Sequence, residues 1–215
     1  MTLSRSVLRE QVKEVIIQRI LDGTYAPGDR VVELSLVQEL GVSQAPVREA
    51  LRDLEAMRFI ESEPYRGARV RQVSHKELTE TYPVRAALEE LAGHMAAPSV
   101  DNNVLRMLET EIQNMLEAAR RKDQHGLLVH DARFHEVIVE QAGNTVLLDS
   151  WSGLRIEAYT LVSVIKSHLD LVAIANAHLP ILDALRQRDG TLAGKVMREH
   201  IEHFGNTLFG GDPND

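Results

Sequence analysis

Apolar residues recur at helical spacing in three stretches of the N-terminal third of the chain. These stretches are Val7–Ile20, Leu34–Leu40 and Val47–Leu54. Gly41 is placed to end the second stretch in a left-handed conformation, while Ser43 can cap the third and Pro46 fits its first turn. Two short helices joined by a glycine-containing turn are typical of a helix-turn-helix.

A hairpin is predicted directly after the third stretch. The segment FIESEPYRGARVRQV, residues 59–73, reads as strand, turn and strand, and Arg30–Val32 is a further short strand candidate. Three arginines surround Gly67 and give the hairpin a basic character: Arg66, Arg69 and Arg71. Residues 1–73 are therefore predicted to form a winged helix-turn-helix domain.

Beyond residue 73 the apolar spacing is helical throughout. Ser74–Glu77 is a capping box that opens a long helix, and Asp101 can cap the next one. A further helix ends at Gly143–Asn144. The helices after it are predicted over about Val146–Ile165, in LVAIANAHLPILDALRQRDG and in TLAGKVMREHIEHFGNTLF. Strand signals are absent, so the predicted fold class is mainly α, with an all-α antiparallel bundle of about six helices over residues 74–215.

A winged helix-turn-helix suits duplex DNA. The start of its second short helix can enter the major groove and present polar and methyl groups to base edges, while arginines hold phosphates or a guanine. The candidate contacts are Ser43, Gln44 and Ala45 at the helix start, Arg48 and Arg52 one turn apart, and Arg66 and Arg69 in the wing. The alternative is a solvated, salt-bridged helix face that serves solubility only.

Charge is divided unevenly between the two parts. Residues 1–74 carry 11 Lys and Arg against 11 Asp and Glu, whereas the rest carries 13 against 21 and accounts for the net charge of −8. All nine histidines also follow residue 74. The chain has no cysteine, which excludes disulfides, cysteine–zinc sites and thiol nucleophiles. No apolar run approaches the ~20 residues needed to cross a bilayer, and a secretory apolar core is missing, so we expect a cytoplasmic protein without a membrane span.

A second candidate site lies among the histidines of the bundle. Asp131 and His135 are four residues apart, which places them on one face of a helix. His178 and His200 lie on later helices, and bundles build metal sites from side chains on facing helices. Three imidazoles and one carboxylate suit a divalent cation such as Zn, Ni, Mn or Fe(II). From spacing alone, a simple Asp–His pair or buried structural histidines remain open readings, and each is common at such spacing.

The first part resembles the DNA-binding domain of GntR-type transcription regulators. GVSQAPVREAL followed by the RG wing carries the resemblance, with Arg48 at the position of a DNA-contacting arginine and Gly67 at that of the wing glycine. Gln44 and Ala45 replace the usual arginine and threonine, so the resemblance implies an operator that differs from those of common members. It also implies a homodimer on a palindromic double-stranded operator.

The second part resembles the FCD ligand-binding domain of the FadR subfamily, and its length resembles the VanR-like group. DARFHEVIVEQAGN, AHLPILDALRQRDG and MREHI carry the resemblance. It implies a cation held by Asp131, His135, His178 and His200, and an effector whose carboxylate docks on that cation. Arg85 is similar to an arginine that faces this pocket, although a pair with Glu89 one turn on is an equal alternative. Weaker effector candidates are Arg133, Arg155 and Asn144, the last of which is also placed to cap a helix.

These features together predict a metal-containing DNA-binding regulator, a repressor released from its operator by a small organic acid. A metalloenzyme acting on a small carboxylate substrate is the main alternative. Two features argue against an enzyme. The sequence has no second carboxylate evidently placed as a general base, and a helix-turn-helix domain serves no enzymatic purpose. A scaffold protein is a further alternative, and it predicts neither bound metal nor salt-dependent DNA affinity.

Overall fold

The computed structural model describes residues 5–63, 67–154 and 170–209 of the chain. The chain divides into two compact units, Met1–Gln72 and Val73–Asp215, which we call the N-terminal and C-terminal units. Over the described residues, neither unit contains a helix that combines the length and apolarity needed to span a membrane.

The N-terminal unit combines three helices with a small sheet, as a winged helix-turn-helix requires. Its elements are α1 (Arg5–Leu21), β1 (Arg30–Val31), α2 (Glu33–Leu40), α3 (Gln44–Ala56), β2 (Ile60–Glu63) and β3 (Gly67–Val70). The three strands are antiparallel in the order β1-β3-β2, with Arg69 opposite Arg30 on one side and Glu61 on the other. The predicted hairpin and the short first strand are therefore confirmed.

The turn between α2 and α3 follows from local chemistry. Gly41 ends α2 with φ 64° and ψ 27°, the left-handed conformation that glycine adopts without steric cost. Ser43 occupies the N-cap position of α3, but its side chain makes no capping hydrogen bond, so the predicted cap is wrong in its chemistry. Packing holds the turn instead, because Leu36, Val47 and Leu54 are fully buried in the core of this unit.

The described residues of the C-terminal unit form helices. They are α4 (His75–Ala96), a 3-10 turn (Ala97–Ser99), α5 (Asn102–Arg120), α6 (Gln124–Gln141), α7 (Thr145–Gly153), α8 (Leu171–Asn176), α9 (Leu179–Arg186) and α10 (Gly190–Phe209). Predicted caps are confirmed at several starts. Ser74 and Glu77 form a reciprocal capping box, and Asp101 accepts from two backbone amides of α5. A further cap lies at the start of α10, where Asp189 accepts from the amide of Leu192.

Helices α4 and α10 approach closely because small residues line their contact. A Cβ atom built on Gly194 would lie 2.8 Å from the carbonyl oxygen of Glu90, and one on Gly93 would lie 3.0 Å from that of Ala193. Such distances leave no space for a larger side chain. The close approach brings the inward face of α10, with His200, next to the buried face of α4.

Two helix predictions differ from the structure. The segment LVAIANAHLPILDALRQRDG is predicted to contain one helix, but the structure has two there, since α8 ends at Asn176 and α9 begins at Leu179. Pro180 explains the break, since it has no backbone N–H to donate and fits only the first turn of a new helix. The helix predicted from Val146 begins at Thr145 and ends at Gly153, and the remainder of that prediction lies outside the described residues.

Candidate metal centre and nucleic-acid interface

Three histidines from separate parts of the C-terminal unit converge on one point. His135 lies on α6, His178 directly precedes α9, and His200 lies on α10. One ring nitrogen from each lies within 4.8 Å of the corresponding atoms of the other two. The ring centroids are 5.3 Å apart for His135 and His178, and 4.6 Å apart for His178 and His200. Among the described residues, these imidazoles form a cluster compact enough to hold a metal ion.

Asp131, the predicted carboxylate ligand, contacts one histidine of this cluster, His178. Asp131 is buried one turn before His135 on α6, and its Oδ1 atom lies 3.1 Å from Nε2 of His178. The simple alternative was a pair between Asp131 and His135. Each of the two instead meets a partner on another element, since His135 faces Glu89 on α4.

The hydrogen bonds of His178 show which of its ring nitrogens could bind a cation. His178 directs its Nδ1 atom at the carbonyl oxygens of Ile174 (3.1 Å) and Ala175 (3.3 Å), so that nitrogen carries the proton and donates. Its Nε2 atom therefore presents a lone pair, yet this buried atom has no hydrogen-bond partner among the described residues. The same holds for Nε2 of His135. A buried polar atom without a partner costs about 1–3 kcal/mol, and a cation between the imidazoles would supply the partner.

The contact between Asp131 and His178 also fits two ligands of one ion. Its 3.1 Å length is short, but its angle is not that of a hydrogen bond, which leaves His178 Nε2 unsatisfied. Two ligands bound at roughly 2.0–2.2 Å from a common cation are separated by about 3 Å. Imidazole and carboxylate together suit the borderline divalent metals.

The protonation states of these groups also favour ligation at neutral pH. Burial, together with the neighbouring imidazoles of His178 and His135, holds the pKa of His200 well below its ordinary value. Burial opposes ionisation of Asp131, but the surrounding groups His178, His135 and Arg85 together outweigh it and keep the pKa of Asp131 well below its usual range. A neutral imidazole and an ionised carboxylate are the forms that bind metals.

Glu89 also belongs to this site, although its position in the sequence indicates only a pair with Arg85. It is 0% exposed, and its Oε2 atom lies 2.6 Å from Nδ1 of His135. Its Oε1 atom accepts hydrogen bonds from Nε of Arg85 (2.7 Å) and Nε1 of Trp151 (3.0 Å). A signal was present in the sequence, since Glu89 continues the helical spacing of Leu78, Tyr82 and Arg85 and therefore falls on the buried face of α4.

A small cavity adjoins the histidines. Its volume is about 10 Å³, and Arg85, Asp131, His178 and His200 are among its lining residues. This is roughly the space of one water molecule, so an organic acid enters only if side chains move. Arg85 is buried and forms the ion pair with Glu89 that its spacing allows. Arg85 also lines the cavity, so the two predicted roles of this residue occur together.

The other effector candidates lie elsewhere or outside the described residues. Asn144 caps α7 by accepting from the amide of Leu147 at 3.1 Å. Arg133 contacts Glu136 and Glu140 on the same helix. Neither is among the described residues that line the cavity. Arg155 lies outside the described residues.

The DNA-contact candidates on α3 occupy one exposed face. Gln44, Arg48 and Arg52 follow one another at intervals of four residues and are all exposed. Ser43 is exposed before them, whereas Ala45 is half-buried. Nε of Arg48 donates to Oε1 of Glu33, at the start of α2, over 2.9 Å. The helix face is thus open to a ligand, with one of its arginines oriented by a neighbouring carboxylate.

The predicted DNA-contact residues of the wing differ in their structural surroundings. Gly67 starts β3 with φ 81°, a conformation that L side chains rarely adopt. Arg69 donates from Nη1 to the carbonyl oxygen of Gly28 at 2.8 Å and so fastens the wing to the turn before β1. The contact with Gly28 leaves the predicted approach of Arg69 to the DNA backbone a prediction. Arg66 lies outside the described residues.

Comparison with known proteins agrees with both units. The model described as "Bacterial regulatory proteins, gntR family" matches residues 8–70, and that of the FCD domain matches residues 80–203. The chain is 35% identical over 202 residues to a "Probable D-xylose utilization operon transcriptional repressor" of Paenarthrobacter nicotinovorans, covering 94% of this chain and 89% of that protein. It is 26% identical to the gluconate operon transcriptional repressor of Bacillus licheniformis, with 93% and 84% covered.

A solved structure gives the same result for the fold. Escherichia coli McbR/YncC superposes with a TM-score of 0.71 at 22% identity, over 94% of this chain and 95% of the other. The two family matches lie in the two compact units and together extend over most of the chain. The chain therefore belongs to the GntR family of bacterial regulatory proteins, carries an FCD domain, and is a transcriptional regulator rather than an enzyme.

Proposed function

We propose that this protein is a repressor that releases its operator when a small carboxylate effector binds beside a divalent cation in the FCD domain. The observation that carries the proposal is the convergence of His135, His178 and His200, with two buried Nε2 atoms that have no hydrogen-bond partner in the described part of the chain. Asp131 is the fourth proposed ligand. The cation, when bound, supplies positive charge and open coordination positions for an incoming carboxylate.

Arg85 is the proposed second contact of the effector. Its guanidinium lines the cavity next to three of the proposed ligands. Burial alone would lower the pKa of Arg85, but the nearby carboxylate of Glu89 opposes this and the pKa is raised. The guanidinium of Arg85 therefore keeps its positive charge. A fixed guanidinium can donate two parallel hydrogen bonds to a carboxylate. The name of one relative supports a ligand of this class, since that protein is the repressor of a gluconate operon.

The closed cavity supports a switch. With a volume of about 10 Å³ it holds no organic acid, so an effector binds only the conformations in which the cavity has opened. A ligand that prefers one conformation shifts the population toward it. A coupling of about 1–3 kcal/mol between the effector and DNA sites would change operator affinity roughly 5–150-fold.

We further propose that the protein acts as a homodimer on a palindromic operator. Symmetric dimers suit symmetric sites, because each copy places one helix-turn-helix in one half-site. Val84 and Leu91, seven residues apart on α4, are 48% and 43% exposed and offer an apolar face for a second copy. On the DNA side, the proposed contacts are the exposed α3 residues Ser43, Gln44, Arg48 and Arg52, with Ala45 and the wing residues Arg66, Gly67 and Arg69.

Metal analysis combined with operator binding tests the function. The purified protein is assayed for bound metals by mass spectrometry, and its affinity for DNA from upstream of its own gene is measured with and without candidate sugar acids. We expect a stoichiometric divalent metal and an affinity that falls when one acid is added. The double variant His135→Ala/His200→Ala should lose both the metal and the response. Equal metal content in the variant and the natural protein would refute the ligand set.

A further inference from the structure

Glu89 connects three helices at the centre of the C-terminal unit. It lies on α4, and its carboxylate meets Arg85 on the same helix, His135 on α6 and Trp151 on α7. The side chains of Glu89 and His135 are both 0% exposed. A carboxylate so completely removed from water is costly unless its oxygen atoms have partners. The arrangement of those partners indicates what the residue does.

The two oxygen atoms of Glu89 serve different neighbours. Oε1 accepts from both Arg85 and Trp151, at 2.7 Å and 3.0 Å. Oε2 lies 2.6 Å from Nδ1 of His135. An ion pair with Arg85 alone would not require the second oxygen atom to face an imidazole. The contact with His135 is short, although its angle is not that of a hydrogen bond in this structure.

A carboxylate beside Nδ1 determines which ring nitrogen can bind a cation. It favours the tautomer in which Nδ1 carries the proton, and the lone pair then resides on Nε2. Nε2 of His135 is buried, and none of the residues that the structure describes offers it a hydrogen bond. His178 is held in the same manner, because its Nδ1 faces two backbone carbonyl oxygens. Both rings are therefore prepared to offer Nε2.

We propose that Glu89 is a positioning residue that holds His135 with Nε2 directed to the cation. Trp151 and Arg85 keep the carboxylate in place by occupying its other oxygen atom, so α7 is tied to the metal centre through one hydrogen bond. This inference rests on the proposed metal site. It adds a residue that does not touch the cation but controls how strongly the cation is bound.

The variant Glu89→Gln tests the role with almost no change of shape. Arg85 and Trp151 both donate, so the amide oxygen remains with them and the amide NH₂ group faces His135. That group donates to Nδ1, which moves the ring proton to Nε2 and blocks ligation. In competition titrations with Zn(II) and a chromophoric chelator, we expect zinc affinity to fall roughly 10–100-fold. The neighbouring variant Glu90→Gln is the matched control, because Glu90 pairs with Arg198 instead, and it should retain full affinity.

Two further measurements do not depend on how well Glu89→Gln folds. Trp151→Phe removes one donor to Oε1 and should cause a smaller loss of zinc affinity. In the natural zinc-loaded protein, ¹⁵N NMR of the His135 ring should show a protonated Nδ1 and a metal-bound Nε2. Ligation through Nδ1, or unchanged affinity in Glu89→Gln, would overturn the positioning role.

The variant His135→Ala separates this inference from the proposed function. If His135→Ala binds zinc as tightly as the natural protein, the metal site itself is wrong. If His135→Ala loses zinc while Glu89→Gln keeps it, the metal site stands and only the role of Glu89 is refuted. Loss in both variants, with Glu90→Gln unaffected, supports the inference.

Discussion

The Oδ1 atom of Asp131 lies 3.1 Å from Nε2 of His178, although the two residues belong to different helical segments. Both side chains are buried, and within the described ranges His178 has no hydrogen-bond partner at that nitrogen. A ligand that binds the lone pair of His178 Nε2 should therefore stabilise the folded C-terminal unit. This relationship predicts a link between metal content and thermal stability.

Removal of the divalent metal should lower the unfolding temperature. A ligand that binds only the folded state, present at 100 times its dissociation constant, stabilises that state by about 2.7 kcal/mol. Calorimetry of the protein before and after treatment with EDTA measures the difference. The variant His178→Ala should abolish it, whereas His130→Ala should retain it, because His130 on the same helix as Asp131 contacts Glu111 instead. Identical midpoints with and without EDTA would contradict the prediction.

Arg48 should strengthen operator binding, whereas Glu33 should weaken it. Arg48 is exposed and contacts Glu33 over 2.9 Å, so a DNA phosphate must compete with that carboxylate. Arg48→Ala should weaken binding and reduce the slope of log affinity against log salt by about 0.9. Glu33→Gln should strengthen binding several-fold at low salt. Fluorescence anisotropy with operator DNA over a range of salt concentrations measures both effects.

A matched arginine outside the DNA-binding domain serves as the control for that experiment. Arg106 lies on α5 and is exposed, and Arg106→Ala should leave affinity and salt slope unchanged. An Arg48→Ala variant with the same slope as the natural protein would remove Arg48 from the set of phosphate contacts.

Local sequence chemistry predicted the helix starts, but it did not predict which side chains meet. The caps at Ser74 and Asp101 involve residues within three positions of one another, so spacing alone reveals them. The spacing of Asp131 and His135 likewise placed them on one helix face. Their actual partners, His178 and Glu89, depend on how α6 packs against other helices, and that packing is set by shapes that a single sequence does not display.

Pro180 and Ser43 show two other limits of the sequence pattern. The apolar spacing continues through Pro180, which is why one helix was predicted where the structure has two. Ser43 has the correct type and position for a cap, yet its hydroxyl makes no capping bond. Residue type alone therefore does not settle whether a bond forms, because the side-chain rotamer decides it.

The close contact between α4 and α10 predicts opposite effects for two glycine substitutions. A Cβ atom on Gly194 would lie 2.8 Å from the carbonyl oxygen of Glu90, so Gly194→Ala should push the helices apart and cost about 1–3 kcal/mol. A Cβ atom on Gly153, at the end of α7, meets none of the described residues within 4 Å, and Gly153→Ala should stabilise the protein by about 0.4–1 kcal/mol. Urea unfolding of the full chain measures both. A Gly194→Ala variant as stable as Gly153→Ala would contradict the packing argument.

The two serines at helix starts provide a final paired prediction. Ser74 accepts a hydrogen bond from the amide of Glu77 at 3.1 Å, and Glu77 accepts one from the amide of Ser74 in return. Ser74→Ala should therefore destabilise the protein by about 1 kcal/mol, which lowers the unfolding temperature of a chain of this size by roughly 2–4 °C. Ser43 makes no capping bond, so Ser43→Ala should leave the unfolding temperature nearly unchanged while it weakens operator binding. Thermal unfolding and DNA titration of both variants measure these outcomes, and equal losses of stability would show that Ser43 caps α3 in solution after all.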